Sequence, residues 1–145
     1  MNLRRILVAC IALAFAAGAG AMSTAERSAL NAAEKWLVFV DDGRYADAWP
    51  RAAASFKATV GRQEWRDGAR DLRRPYGRVV SRKADKIAFI GAEAPTSDGS
   101  DGLKPGAKVS ILFDTKFAGN KLANEEVSVE YEKDGIWRVA GYFIR

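Results

Sequence analysis

The chain has 145 residues, a formal charge of +5 and no histidine. The missing histidines remove the commonest neutral-pH acid–base group and the commonest metal ligand. So mild a positive charge does not by itself imply a nucleic-acid partner, and none is expected.

Arg4-Arg5 opens the chain, an apolar run follows from Ile6 to Ala17, and Ala19-Gly20-Ala21 is a small-residue site. That order predicts a secretory signal peptide over residues 1–21, cleaved after Ala21. The apolar run falls short of the roughly 20 residues that span a bilayer. Leu7-Val8-Ala9-Cys10 has the form of a lipid-attachment box. Only Ile6 to Ala9 separate it from Arg5, so Cys10 reads instead as a small residue inside the signal. Residues 22–145 are then one domain's worth of chain, with a charge lowered from +5 to +3 by the loss of Arg4 and Arg5. This processed chain has no cysteine. Disulfides, thiol catalysis and thiolate metal sites are excluded, although the expected address, periplasmic or secreted, is oxidising. No cofactor is expected, and no transmembrane helix in the processed chain.

A first helix is predicted from Ser23 to Asp42. Leu30, Ala33, Leu37 and Val40 recur on one face, with Ala29 and Trp36 beside them. Ser23 or Thr24 can cap its start, and Gly43 stops it. Arg44 to Val60 reads as a second helical stretch through Tyr45, Trp49, Ala52, Phe56 and Val60. Pro50 lacks an amide donor, which places it in a first turn or at a kink. The regular part is expected from about Asp47, acting as the cap.

Gly61 to Arg74 reads as a third helix, ended by Pro75. Trp65, Ala69 and Leu72 form its apolar stripe. Arg62, Arg66, Arg70 and Arg73 run beside that stripe, and Arg74, Arg78 and Arg82 extend the basic surface. Such a stripe is ordinarily a solvated flank whose stems cover apolar neighbours. Its functional reading is anion binding by Arg66, Arg70, Arg73, Arg74 and Arg82, since a guanidinium fork suits phosphate or carboxylate. Arg74 and Arg82, near the glycine turn at Gly77, can equally pair with Asp41, Asp42 or Glu126.

Arg78 to Ala92 is rich in strand formers, with a break expected near Ala84–Lys86. Pro95 to Gly106 has loop composition. Asp98, Ser100 and Asp101 lack the third spaced acid and the closing glutamate of a calcium loop, so no metal is assigned there. Ala107 to Phe117 alternates as a strand, with Val109, Ile111 and Phe113 on one face. Gly119-Asn120 turns it into a closing hairpin from Glu125 to Arg145. There Val127, Val129 and Tyr131 alternate with acids. After Asp134-Gly135, Trp137, Val139, Gly141 and Phe143 alternate with Arg138, Ala140 and Tyr142. Matching the apolar faces selects a three-residue loop, Lys133-Asp134-Gly135, with Gly135 in the left-handed region. Tyr131 then opposes Trp137, Val129 opposes Val139 and Val127 opposes Gly141. Glu130 faces Arg138 in a pair worth ~0.2–1 kcal/mol.

Helices followed by a strand meander predict an α+β fold: three N-terminal helices on one face of a curved antiparallel sheet of about four strands. The sequence also resembles a bacterial secreted family, domain of unknown function 4019, from about Ala32 to Arg145. The resemblance rests on Trp36-Leu37, Asp41-x-Gly43-x-Tyr45, Trp49, Phe56-Lys57 and Gln63-x-Trp65. It continues through Arg74-x-x-Gly77, Ser81-Arg82, Phe113-x-Thr115-x-Phe117, Glu126 and Asp134-Gly135-x-Trp137-Arg138-Val139-x-Gly141-Tyr142. It implies a cone-like fold similar to nuclear transport factor 2 and the ketosteroid isomerases, but no chemistry.

The function expected is a non-catalytic periplasmic domain that binds a small ligand or an envelope protein. Its pocket would lie between the helices and the apolar sheet face, lined by Trp137, Tyr131, Trp49 and Tyr45, with Gly141 leaving room. Large aromatics at these periods are ordinarily core. One alternative is binding of anionic envelope polymers by the arginine stripe. Another is a small isomerase- or dehydratase-like enzyme using a carboxylate and a tyrosine, as ketone enolisation without histidine permits. Asp41, Asp42, or Glu126 with Tyr142 would fill those roles, but no acid lies clearly on an apolar face. A homodimer formed through the exposed sheet face is compatible with this shape.

Overall fold

The computed structural model describes residues 21–91 and 102–145. The signal segment up to Gly20 and the acidic loop residues Asp98, Ser100 and Asp101 lie outside them. Four helices precede a four-stranded antiparallel sheet of order β1-β2-β3-β4 that does not close on itself.

Helix α1 (Thr24–Asp41) begins at a capping box: Ser23 Oγ accepts from the Glu26 amide at 3.2 Å, and Glu26 Oε2 accepts from the Ser23 amide at 2.8 Å. Both orphan donors of the first turn are satisfied. Ala25, Ala29 and Ala33, four apart, are fully buried. Small side chains on that line let the helix lie close to the sheet, and Trp36, Leu37 and Val40 fill the wider end.

The second predicted helix is not one helix. It divides into α2 (Tyr45–Ala48), a 3-10 turn (Trp49–Arg51) and α3 (Ala54–Thr59). Pro50 sits in the 3-10 turn. Ala52 and Ala53 then take extended ψ values of 164° and 153°. The regular part therefore starts at Ala54 rather than near Asp47, and Asp47 is no cap: its carboxylate accepts from Arg44 Nε at 2.9 Å. Short pieces expose carbonyls that a long helix would use. Indole N–H groups reach three backbone oxygens here: Trp36 donates to Ala48 at 3.0 Å, Trp65 to Tyr45 at 2.9 Å and Trp49 to Val60 at 2.7 Å. Helix α4 (Arg62–Arg73) buries Trp65 and Ala69, as its stripe predicts, but leaves Leu72 at the surface and buries Arg73.

Strands β1 (Val79–Ile90) and β2 (Lys108–Phe117) pair with a register shift between Ala84 and Lys86, where the alternation breaks. Gly119 and Asn120, both at positive φ, carry β2 into β3 (Lys121–Tyr131). β4 (Trp137–Ile144) closes the sheet. Its pairing begins as matching the apolar faces predicts, with Tyr131 opposite Trp137 and Val129 opposite Val139. Gly135 has φ 78° in the connecting turn. Beyond Val139 the prediction fails. A bulge at Ala140 puts Gly141 opposite Ser128 and Tyr142 opposite Val127. One inserted residue reverses every later side chain. Tyr142 therefore turns into the core, Gly141 faces outward and Phe143 is 63% exposed. Glu130 opposes Arg138 as expected, yet Arg138 binds Glu132 and Asp134, while Glu130 accepts from Ser55 at 2.6 Å.

The core lies between α1 and the inward sheet face, where Val109, Ile111, Phe113, Val127, Val129 and Val139 are almost wholly buried. Ala53 ties the helical segment to the sheet edge by donating its amide to the Val139 carbonyl at 2.8 Å. No helix among the described residues is long and apolar enough to cross a membrane.

Candidate functional site

Two features stand out: a polar cluster inside the fold and an open groove beside the closing hairpin.

The cluster takes one side chain from every strand and one each from α1 and α4. Glu125 on β3 is completely buried and accepts four hydrogen bonds. Tyr142 Oη at 2.6 Å and Arg73 Nη1 at 3.2 Å reach Oε1; Thr115 Oγ1 at 2.6 Å and Arg82 Nε at 2.7 Å reach Oε2. Arg82 on β1 also grips Asp41 through both terminal nitrogens, at 2.7 and 2.8 Å. Arg73 is 5% exposed, and its Nη1 lies 3.1 Å from Asp41 Oδ1 and 3.2 Å from Tyr142 Oη. Arg73 Nε is buried without a partner among the described residues. Phe117 lies beneath the Arg73 guanidinium at 5.1 Å and Phe113 beneath that of Arg82 at 6.0 Å.

Two guanidinium charges face two carboxylates, so the cluster is internally neutral. Desolvation opposes the arginine charges. The bonds from Asp41 and Glu125 outweigh it at Arg82, and Tyr142, Glu125 and Asp41 together outweigh it at Arg73; both stay protonated. Burial first, and the Glu125 charge second, raise Tyr142 far above the ordinary phenol range. Tyr142 is therefore a fixed donor, and Glu125 has no free lone pair directed at an incoming proton. Its neighbours Trp36 and Trp65 pack 5.9 and 6.2 Å from the Tyr142 ring, which closes the interior.

The groove lies outside this core. Ser28, Ala32, Lys35 and Phe39, spaced three or four apart, line it from one face of α1. Pro50 and Arg51 contribute from the 3-10 turn, and residues 135–139 from the hairpin tip. Its volume is about 690 Å³, within the range of small-molecule sites. Ile136, 50% exposed, and the edge of Trp137 offer it apolar surface.

The residues expected to form one pocket are dispersed. Trp137 lines the groove, and Tyr131 packs on it at 5.2 Å but opens toward Pro105 and Gly106 on another side. Trp49 and Tyr45 are half-buried among the helices, where each joins an indole–carbonyl bond. Gly141 lies on the outer face because of the Ala140 bulge, so it leaves no room beside Trp137. The arginine stripe also divides. Arg73 and Arg82 enter the buried cluster. Arg66 binds Asp67 at 3.0 Å, and Arg70 and Arg74 lie 3.5 and 3.6 Å from Asp71, so the exposed arginines face acids of their own helix. The Arg66 bond holds the Asp67 carboxyl below its ordinary range.

Glu125 and Thr115 are the two cluster members that the sequence reading missed. Both were accessible to it. Glu125 continues the inward phase of Val127, Val129 and Tyr131, and Thr115 continues that of Ile111 and Phe113. An acid in an apolar phase is the signal of a paired buried carboxylate. Glu126 accepts from Ser110 and Arg145 on the outer face, away from Tyr142. Among the described residues no group of three or more His, Cys, Asp or Glu side chains gathers as a metal site.

The family described as "Protein of unknown function (DUF4019)" matches residues 32–142, which take in the whole cluster and the groove lining from Ala32 onward, but not Ser28. The comparison with curated proteins gave no match.

Proposed function

The chain belongs to the DUF4019 family of proteins of unknown function, and from that premise we propose that it is a non-catalytic binding domain of the periplasm. The groove between α1 and the β3–β4 hairpin takes a small ligand. One observation carries this reading: apolar surface at Ile136, with an edge of the otherwise buried Trp137, stays open in a concavity of ligand size, while the interior is filled. The enzyme alternative needs a carboxylate and a tyrosine facing a substrate. Glu125 and Tyr142 instead face each other and two arginines, which supports binding over catalysis. The segment 1–21 supports export and cleavage, and the helix-on-sheet order supports a cone similar to nuclear transport factor 2.

Nuclear magnetic resonance of the isotope-labelled protein with a fragment library tests the site. Shifts should cluster at the Trp36 and Trp137 indoles, Phe39 and Ile136. Shifts confined to other surfaces, or none across the library, would overturn the reading. Amino-terminal sequencing of the exported protein should begin at Met22; a chain retaining Met1 would remove the periplasmic part.

A further inference from the structure

Among the described residues the groove lining carries charge of one sign only. The groove is lined by Lys35, Arg51 and Arg138 and by no carboxylate. Arg138 is already neutralised: Asp134 holds it through two bonds, at 3.0 and 2.8 Å, and Glu132 holds it as well. Asp47, one turn before Arg51, is engaged by Arg44 at 2.9 Å. Lys35 and Arg51 have no carboxylate within ion-pair distance among the described residues. The Arg51 guanidinium lies 4.5 Å from the centre of the Phe39 ring and donates to the Asp47 backbone oxygen at 2.7 Å. Both contacts fix its head at the rim. Lys35 is one turn before Phe39 on α1, so both cations stand beside Phe39. The groove's apolar surface comes from the hairpin, at Ile136 and the edge of Trp137.

We infer that the groove binds a free, monomeric anionic amphiphile. Its apolar body lies against Ile136 and the edge of Trp137, and its single anionic head lies between Lys35 and Arg51. The inference rests on the groove being a ligand site. A lone exposed lysine would carry no such conclusion. Here two cations with no ion-pair partner among the described residues stand beside Phe39 in the groove, and the acids Asp47, Glu132 and Asp134 are committed to other arginines. A polyanion fits poorly, because only two uncommitted cations line the groove and backbone tracking uses many.

The test pairs two fluorescent probes of nearly one shape, 1-anilinonaphthalene-8-sulfonate and its uncharged counterpart N-phenyl-1-naphthylamine. Both are titrated into the protein purified as the cell processes it, with the native fold checked by near-ultraviolet circular dichroism. The sulfonate should bind about tenfold more tightly at low salt, and the difference should shrink at high salt. The double variant Lys35→Gln, Arg51→Gln should bring the sulfonate down to the level of the neutral probe and leave the neutral probe unchanged. Ile136→Glu should weaken both. Equal binding of the two probes would overturn the anionic preference while the groove remained a ligand site. Binding of neither would overturn the site itself. Association with phosphatidylglycerol vesicles without binding of the monomeric sulfonate would also overturn the proposal, by replacing a free amphiphile with a membrane surface.

Discussion

Glu125 sits in the sheet as a charge in an apolar layer, and it is tolerated because four donors meet its four acceptor sites. Removing one partner of a buried pair leaves the other charge uncompensated, which costs more than the pair itself contributes. Glu125→Gln should therefore lower stability by about 3–5 kcal/mol in urea unfolding, because Arg73 and Arg82 would share Asp41 alone. A loss below about 1 kcal/mol would mean that water replaces the missing charge. Tyr142 gives a pH signature. Its folded-state pKa lies above the ordinary 10.0, chiefly through burial. Above pH 10 the unfolded chain releases that proton and the folded chain keeps it. Stability should then fall with rising pH by about 1.4 kcal/mol per unit. Tyr142→Phe should remove this component and lower the plateau by about 1–2 kcal/mol through the lost bond to Glu125. Equal slopes in wild type and variant between pH 10 and about 11 would contradict the assignment.

At the scale of elements, the bulge in β4 decides which residues meet. It brings Gly141 against Ser128, so closely that a Cβ on Gly141 would stand 2.6 Å from Ser128 Oγ. Gly141→Ala must push that hydroxyl into another rotamer, a cost of about 0.5–1.5 kcal/mol. Adding Ser128→Ala should recover most of it, since the remaining Ser128 Cβ lies at an ordinary 3.9 Å. A double-mutant cycle measures this coupling; additive losses would place the strain in the backbone instead. The bulge also explains a misreading. Strict alternation from Trp137 assigns Gly141 to the core and Tyr142 to solvent, and the inserted Ala140 reverses both. The break at Ala84–Lys86 was legible because the strand formers fall out of phase there. At Ala140 every nearby residue, Val139, Gly141 and Tyr142 among them, suits either face, so composition leaves no mark of the slip.

Across the whole molecule, the helical segment and the sheet meet through few polar links. The Ala53 amide reaches Val139 on the edge strand, Glu132 accepts from the Ala54 amide at 2.7 Å, and Asp41 and Arg73 join the sheet's cluster. If these links make helices and sheet one cooperative unit, the buried Ala53 amide exchanges with solvent only when the entire chain unfolds. Its free energy of opening by native-state hydrogen exchange should equal that from urea unfolding. A value several kcal/mol lower would show the helical segment detaching as a separate unit. The groove belongs to the same scale, since it exists only where α1, the turn at Pro50 and the hairpin tip converge.

The sequence by itself determined that helices precede strands, an α1 cap at Ser23 or Thr24, the stop at Pro75 and the pairing of Tyr131 with Trp137. These are local: each depends on periodicity, a cap or a turn within a few residues. It also excluded histidine chemistry altogether, because composition needs no fold. Only the tertiary structure decided that Arg73 and Arg82 are interior while Arg66, Arg70 and Arg74 stay outside. The five share one residue type, and four of them belong to α4 or its cap. Their fate turns on whether Glu125, 52 residues from Arg73 and 43 from Arg82, and Asp41 come within reach. Pairing between distant charges is fixed by how α1 and α4 meet the sheet and by the β1-β2-β3 strand order, and no local pattern encodes that distance.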